Sequence, residues 1–207
     1  MKKTLFLLTT VAMPALLFTG CNNDSDDPTP QGSTAEIYVD DSNSSSSKWH
    51  YISLATGEIV GSELKSADDG NLAHWSARKD WDIAINRYKV RTNSGASTSA
   101  GAKGGVFTFE LATAFDKVED VPLNAQFVED QTVETPGMGG TTVEKRSEAY
   151  VVFVTAGDAG MNYDPTPVYI FRSANGYKYY KTLFTQYFDE NGKSGHVKFK
   201  YTEVYKN

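Results

Sequence analysis

The chain has 207 residues, of which 20 are lysine or arginine and 26 are aspartate or glutamate, so its formal net charge is −6 at pH 7. Such an acidic chain has no general electrostatic attraction to nucleic acid or to an anionic membrane surface, which excludes partners held by charge alone. The length is sufficient for one sizeable domain.

The first twenty residues have the pattern of a bacterial lipoprotein signal peptide. Two lysines precede an apolar stretch from Leu5 to Leu17, and Gly20 precedes Cys21. We therefore predict a signal peptide over residues 1–20, cleavage after Gly20 and acylation of Cys21. The alternative, an uncleaved membrane anchor, is disfavoured because the apolar run is shorter than a spanning helix and contains Pro14.

Cys21 is the only cysteine in the sequence. Its predicted acylation leaves no thiol for a disulfide or for a cysteine metal site in the mature chain. Removal of Lys2 and Lys3 with the signal changes the formal net charge from −6 to −8, since no acidic residue is removed with them. Attachment to a membrane is therefore expected to depend on the lipid.

Residues 21–34 are polar and rich in aspartate, with almost no side chain to bury. This composition predicts a flexible tether between the lipid and a folded domain. We place that domain at residues 35–207.

From Ala35 onward the sequence is typical of short strands separated by turns. Trp49–Leu54 and Glu58–Val60 flank Thr56 and Gly57, which predicts a hairpin.

A further strand signal lies in the segment Asp80–Ser94. Trp81, Ile83 and Ile85 alternate with other side chains at a period of two, which predicts a half-buried strand followed by turn-forming residues that end at Gly95.

The C-terminal half contains more strand signals. Tyr150–Thr155 is a continuous apolar run, which favours a strand covered on both faces. Val168–Arg172 and Tyr177–Tyr187 are separated by a turn with an Asn-Gly pair, and a second such pair precedes the last predicted strand, His196–Tyr205. Asn-Gly pairs adopt the positive φ angles that tight hairpins require.

Outside the signal peptide, no stretch of a dozen residues has a helical period of apolar side chains, and short helical turns are expected near Glu63–Asp69 or Ala112–Phe115. Twelve tyrosines and eleven phenylalanines fit an antiparallel sheet packed on one face. We predict an all-β protein, built as a single antiparallel β-sandwich-like domain of many short strands.

The sequence does not predict an enzyme. His50, His74 and His196 have neither metal-ligand spacing nor the pattern of a catalytic triad. Asp80 and Asp82 share one face of a predicted strand, and we interpret them as a solvated or arginine-paired surface.

Three segments together resemble a known family. Asp80–Ser94, Trp49–Ser53 and Gly192–Tyr201 are similar to parts of the HmuY family of haem-binding lipoproteins from Bacteroidetes-type bacteria, and the resemblance extends from about Trp49 to Tyr205. It implies an HmuY-like fold that holds haem b, iron protoporphyrin IX, between two loops.

The resemblance also implies a partner and a location. The expected partner is a TonB-dependent outer-membrane haem receptor, and the expected location is the outer membrane, by lipid anchor. Acidic residues close to Cys21 resemble the surface-export signals of Bacteroidetes lipoproteins, which would expose the domain at the cell surface. The alternative is a flexible linker without a targeting signal.

Two methionines are the strongest candidates for ligand binding. Met138 and Met161 are the only methionines of the predicted mature chain, and each follows a glycine in a segment expected to be an exposed loop. A large apolar side chain is normally recruited to the core, so these positions favour a binding role. A thioether is a soft ligand that can occupy an axial position on haem iron. The alternative is that each methionine covers an edge of the core.

The resemblance implies which residues hold the iron. Members of the family use either two histidines or two methionines, and neither loop here contains a histidine, so Met138 and Met161 are the expected axial ligands. Tyr163 is the expected contact of the porphyrin, and Tyr150 and Phe153 are further candidates for lining it. In addition, Arg91 and Lys103 are candidates for contacts with the haem propionates, with solvent-facing charges as the alternative.

Two other functions stay open at the level of sequence. A glycan-binding surface lipoprotein would stack Trp49, Trp75 or Trp81 on sugar rings. A structural or adhesive subunit would present a long unpaired edge strand.

Overall fold

A computed structural model describes residues 32–65, 72–138, 140–157 and 160–206. The predicted signal peptide, Cys21 and most of the tether lie outside these residues, as does most of the helical turn expected near Glu63–Asp69. No helix within the described ranges combines the length and the apolar character that a membrane span needs.

The described residues form thirteen strands and one short α-helix. The strands are β1 (Ala35–Asp40), β2 (Lys48–Ser53), β3 (Glu58–Leu64), β4 (Ile83–Asn86), β5 (Lys89–Thr92), β6 (Gly105–Thr108), β7 (Gln131–Gly137), β8 (Gly140–Arg146), β9 (Phe153–Gly157), β10 (Gly160–Asp164), β11 (Tyr169–Arg172), β12 (Tyr179–Phe188) and β13 (Ser194–Val204), and the helix is α1 (Leu72–Ser76).

Two antiparallel sheets make up the body of the domain. One has five strands in the order β1-β13-β12-β11-β6, and the other has four strands in the order β3-β2-β4-β5. The β11–β12 and β12–β13 turns contain Gly176 and Gly192, at φ angles of +86° and +77°, which are the left-handed conformations that Asn-Gly turns supply. The predicted hairpins at β2–β3 and β11–β12 are confirmed.

The main hydrophobic core lies between the two sheets. Ile37, Phe171 and Phe199 of the five-stranded sheet belong to the same buried cluster as Ile52 and Ile83 of the four-stranded sheet. Burial of apolar side chains from two facing sheets is the arrangement that stabilises a β-sandwich. The predicted all-β, antiparallel, sandwich-like fold is therefore confirmed.

Smaller clusters cover the outer faces of both sheets. Trp49 and Trp81 pack with Trp75 of α1 on the four-stranded sheet, and Phe115 and neighbouring residues pack on Ile170 of the five-stranded sheet. The strand predicted as half-buried is consequently buried on both faces, since all four residues of β4 are inaccessible. The prediction of one solvated face was wrong there because α1 covers that face.

The prediction that Tyr150–Thr155 forms a strand covered on both faces was also wrong. Tyr150 forms an isolated bridge with Lys89, and β9 begins only at Phe153 and is mostly exposed. Val151 belongs to the main buried cluster, whereas Tyr150, Phe153 and Val154 line a cleft.

Candidate functional site

Two β-hairpins extend beyond the sandwich. The first hairpin comprises β7 and β8, and the second comprises β9 and β10. Neither contributes a residue to the three buried hydrophobic clusters of the described chain. Most of their side chains are exposed, so these hairpins offer surface for binding rather than for core packing.

Hydrogen bonds fix the base of both hairpins to the end of the four-stranded sheet. The amide of Ser147, just after β8, donates to the carbonyl of Val90 over 3.1 Å, and the amide of Val151 donates to the carbonyl of Tyr88 over 2.9 Å. On the other side, Asp130 precedes β7 and accepts hydrogen bonds from Thr92. Both hairpins are thus held to the β5 segment although they are separate elements.

A cleft of about 480 Å³ lies against the two hairpins. Thr135 of the first hairpin and Met161 of the second line it, together with the rings of Tyr88, Tyr150 and Phe153. The rings of Tyr88 and Tyr150 are nearly parallel, with centroids 6.4 Å apart. A volume in the range of about 300–1,000 Å³ with aromatic walls is typical of a small-molecule or cofactor site.

Two cations complete the lining of the cleft. Lys89 and Arg146 lie on it, and both form ion pairs with the buried carboxylate of Glu144. A third cation, Lys65, pairs with the same carboxylate at 2.6 Å.

The ion pairs around Glu144 shift the pKa of the groups involved. Burial by itself raises the pKa of Glu144, but hydrogen bonds from Lys65 and Lys89 and the charges of both lysines outweigh it and hold the pKa below its ordinary value. Burial lowers the pKa of Lys89, and the pairing with Glu144 opposes that change. Glu144 is therefore a carboxylate that positions cations at the cleft.

The structure places the two predicted methionine ligands on different hairpins. Met161 lies in β10, opposite Ala156, and lines the cleft. Met138 lies in the turn of the first hairpin, fully exposed, three residues beyond Thr135. Met138 lies in an exposed turn, as predicted, whereas the prediction of a loop was wrong for Met161, which lies in strand β10.

Tyr163 shares a face of β10 with Met161, since strand side chains alternate. Its ring packs against Tyr187 at 5.5 Å and against Phe188 at 5.0 Å between centroids. It joins the second hairpin to β12, and it is not among the residues that line the cleft.

The two cations considered for propionate contacts lie elsewhere. Arg91 is buried, donates to the carbonyl of Lys145 and packs over the ring of Trp49 at 3.9 Å. The side chain of Lys103 packs against Gly176. Sequence reasoning missed Lys89 and Arg146, because their approach to the cleft depends on Glu144, which is distant from Lys89 in sequence.

All three tryptophans of the chain are buried. Trp49, Trp75 and Trp81 are 3%, 4% and 0% exposed. The expectation of a tryptophan platform for sugar rings was wrong, which removes the residues on which the glycan-binding alternative depended.

Comparison with known proteins identifies the relatives of this chain. The sequence profile of the HmuY protein matches residues 45–201, about three quarters of the chain. The chain belongs to the HmuY family. A search of curated proteins found no match.

Solved structures of HmuY relatives have the same fold. The apo HmuY analog of Tannerella forsythia is 18% identical, with a TM-score of 0.57 over 87% of this chain and 100% of the other. A candidate HmuY-like haem-binding protein of Bacteroides vulgatus is 19% identical, with a TM-score of 0.54 over 81% of this chain and 90% of the other. A candidate lipoprotein of Bacteroides fragilis is 22% identical, with a TM-score of 0.59 over 81% of this chain and 88% of the other.

Proposed function

We propose that this HmuY-family protein binds haem in the cleft against the two hairpins and catalyses no reaction. The observation that carries the proposal is the cleft itself, which has residues of both hairpins in its wall in a chain of this family. The Bacteroides vulgatus relative is a candidate haem-binding protein, which supports the same ligand.

The residues of the cleft fit a porphyrin. Tyr88, Tyr150 and Phe153 supply aromatic surface for a flat apolar macrocycle, and Met161 supplies a thioether. We propose that Met161 and Met138 are the axial ligands of the iron. Bound haem would supply a metal with two axial positions for these soft donors.

Absorption spectroscopy tests this function. Purified protein is titrated with haem b, oxidised and then reduced with dithionite, and we expect a low-spin spectrum with tighter binding in the reduced state, because neutral sulfur donors favour ferrous iron. The variant with both Met138→Ala and Met161→Ala is expected to keep its circular dichroism spectrum and to lose the low-spin haem spectrum.

A matched control separates the sulfur from the volume of the side chain. Met161→Leu conserves most of the side-chain volume and removes the thioether. It should therefore lose the low-spin haem spectrum, as the alanine variant does. Retention of the low-spin spectrum in the double variant would overturn the assignment of the ligands, and the absence of any haem spectrum in the wild-type protein would overturn the function.

We further propose that the mature protein is anchored in the outer membrane by acylated Cys21, faces the cell exterior and passes haem to a TonB-dependent receptor. The sequence pattern of the signal supports the anchor, and the negative net charge leaves lipid as the means of attachment. Cys21→Ser is expected to release the protein from the membrane fraction, whereas continued membrane association would contradict the anchor.

A further inference from the structure

The cleft carries two largely buried cations in its wall. The side chains of Lys89 and Arg146 are 16% and 15% exposed, and both line the cleft. A cation that has lost most of its water needs an anionic partner or hydrogen-bond acceptors. Glu144 is the carboxylate with which both are paired.

One carboxylate does not balance these charges. Lys65, Lys89 and Arg146 are three cations on the single charge of Glu144, a formal excess of two positive charges within this group. Only Lys89 and Arg146 of the three line the cleft. The cleft therefore presents positive charge to whatever enters it.

Arg146 retains hydrogen-bonding capacity. Its Nε atom is buried without a hydrogen-bond acceptor, since the nearest Glu144 oxygen is 3.9 Å away. Its Nη1 group donates to the hydroxyl of Tyr150, another residue of the cleft. A guanidinium group on the wall of a cleft is well suited to a carboxylate, which it can bind through parallel hydrogen bonds.

Arg146 and Met138 lie at opposite ends of the first hairpin. Arg146 pairs with Gln131 at the base, and Met138 lies in the turn beyond the Gly137–Gly140 pair. Six steps of about 3.3 Å separate the two ends, roughly 20 Å of strand. The charge of Arg146 therefore lies at the base of the first hairpin, on the wall of the cleft and far along the strands from Met138.

We propose that Lys89 and Arg146 bind the two propionate carboxylates of the porphyrin, so that the ligand enters with its carboxylate edge toward the sandwich. This inference rests on the proposed haem-binding function. A protoporphyrin carries both carboxylates on one edge, which matches two cations that share one carboxylate partner in the wall of a cleft that also has three aromatic rings. Lys89 and Arg146 thereby select dicarboxylate porphyrins and fix their orientation.

Iron-free porphyrins test the inference independently of the methionines. Wild-type protein is titrated with protoporphyrin IX and with its dimethyl ester in the same aqueous dimethyl sulfoxide, and binding is followed by quenching of intrinsic fluorescence. We expect protoporphyrin IX, the diacid, to bind at least about 10-fold more tightly than its dimethyl ester, because a charge-assisted hydrogen bond contributes about a factor of ten in affinity. Equal affinities for diacid and diester would overturn the inference without any variant.

Three variants assign the effect to residues. Lys89→Gln and Arg146→Gln should each weaken the diacid about 10-fold and leave the diester unchanged. Lys65→Gln is the matched control, because it removes a cation from Glu144 without altering the lining of the cleft. This variant should preserve the ratio of diacid to diester affinity. If Lys89→Gln and Arg146→Gln also preserve the ratio of diacid to diester affinity, the propionate-binding inference fails, and the proposed haem-binding function is unaffected. If the wild-type protein binds neither porphyrin, both fail.

Discussion

Single buried acids organise the region of the cleft. Glu144 gathers cations on the first hairpin, and Asp130 joins the start of that hairpin to β5. The carboxylate of Asp130 accepts hydrogen bonds from the amide and hydroxyl of Thr92 and from the hydroxyl of Ser97. A buried carboxylate with such partners fixes the position of the chain that carries it.

The stability of the domain should depend on the protonation of Asp130. Burial raises the pKa of Asp130 to about 7, although hydrogen bonds from Ser97 and Thr92 oppose the shift. The pKa of an unfolded aspartate is about 3.9. The folded state thus binds this proton more tightly, so the contribution to stability is complete below about pH 4 and is lost as the pH rises through 7.

Asp130→Asn removes this titration. We expect the free energy of unfolding of the wild type to fall, relative to that of the variant, between pH 4 and pH 7, as measured by urea denaturation at several pH values. Parallel stability curves for the two proteins over that interval would contradict the assignment.

The strands of the sandwich were predictable as elements, whereas the hairpins of the site were not. Alternating or continuous apolar residues mark β2, β4 and β11, and Asn-Gly pairs mark the β11–β12 and β12–β13 turns. The first and second hairpins consist mainly of polar residues and glycine, because their side chains face solvent or a ligand. Without a buried face, a strand has no apolar period to reveal it.

This distinction predicts that the second hairpin is dispensable for folding. Replacing residues 155–162 with a short Gly-Ser turn should abolish haem binding and change the melting temperature by no more than about 4 °C, since the described residues of this segment lie outside the buried clusters. The replacement retains Tyr163, which packs on β12. Differential scanning calorimetry and haem titration measure the two effects, and a collapse of the melting temperature would show that the hairpin is part of the core.

At the scale of the whole molecule, the site depends on distant segments that meet at β5. Residues near Asp130 and Ser147 bring the ends of the first hairpin to this strand, and Tyr150 brings the second. Met138 and Met161 were predicted as ligands from residue type and from family resemblance. It did not reveal Lys89 and Arg146, because no local pattern reports which side chains converge from separate strands.

Nuclear magnetic resonance tests most directly the proposal that both methionines bind the iron. The chain from residue 21, with Cys21→Ser and methyl-labelled methionine, contains only Met138 and Met161 as native methionines. In the ferrous haem complex, we predict that both methyl signals in the nuclear magnetic resonance spectrum shift far upfield, because each methyl group lies over the porphyrin ring. Met138→Leu and Met161→Leu assign the two signals. A stable haem complex in which either signal keeps its haem-free position would contradict the claim.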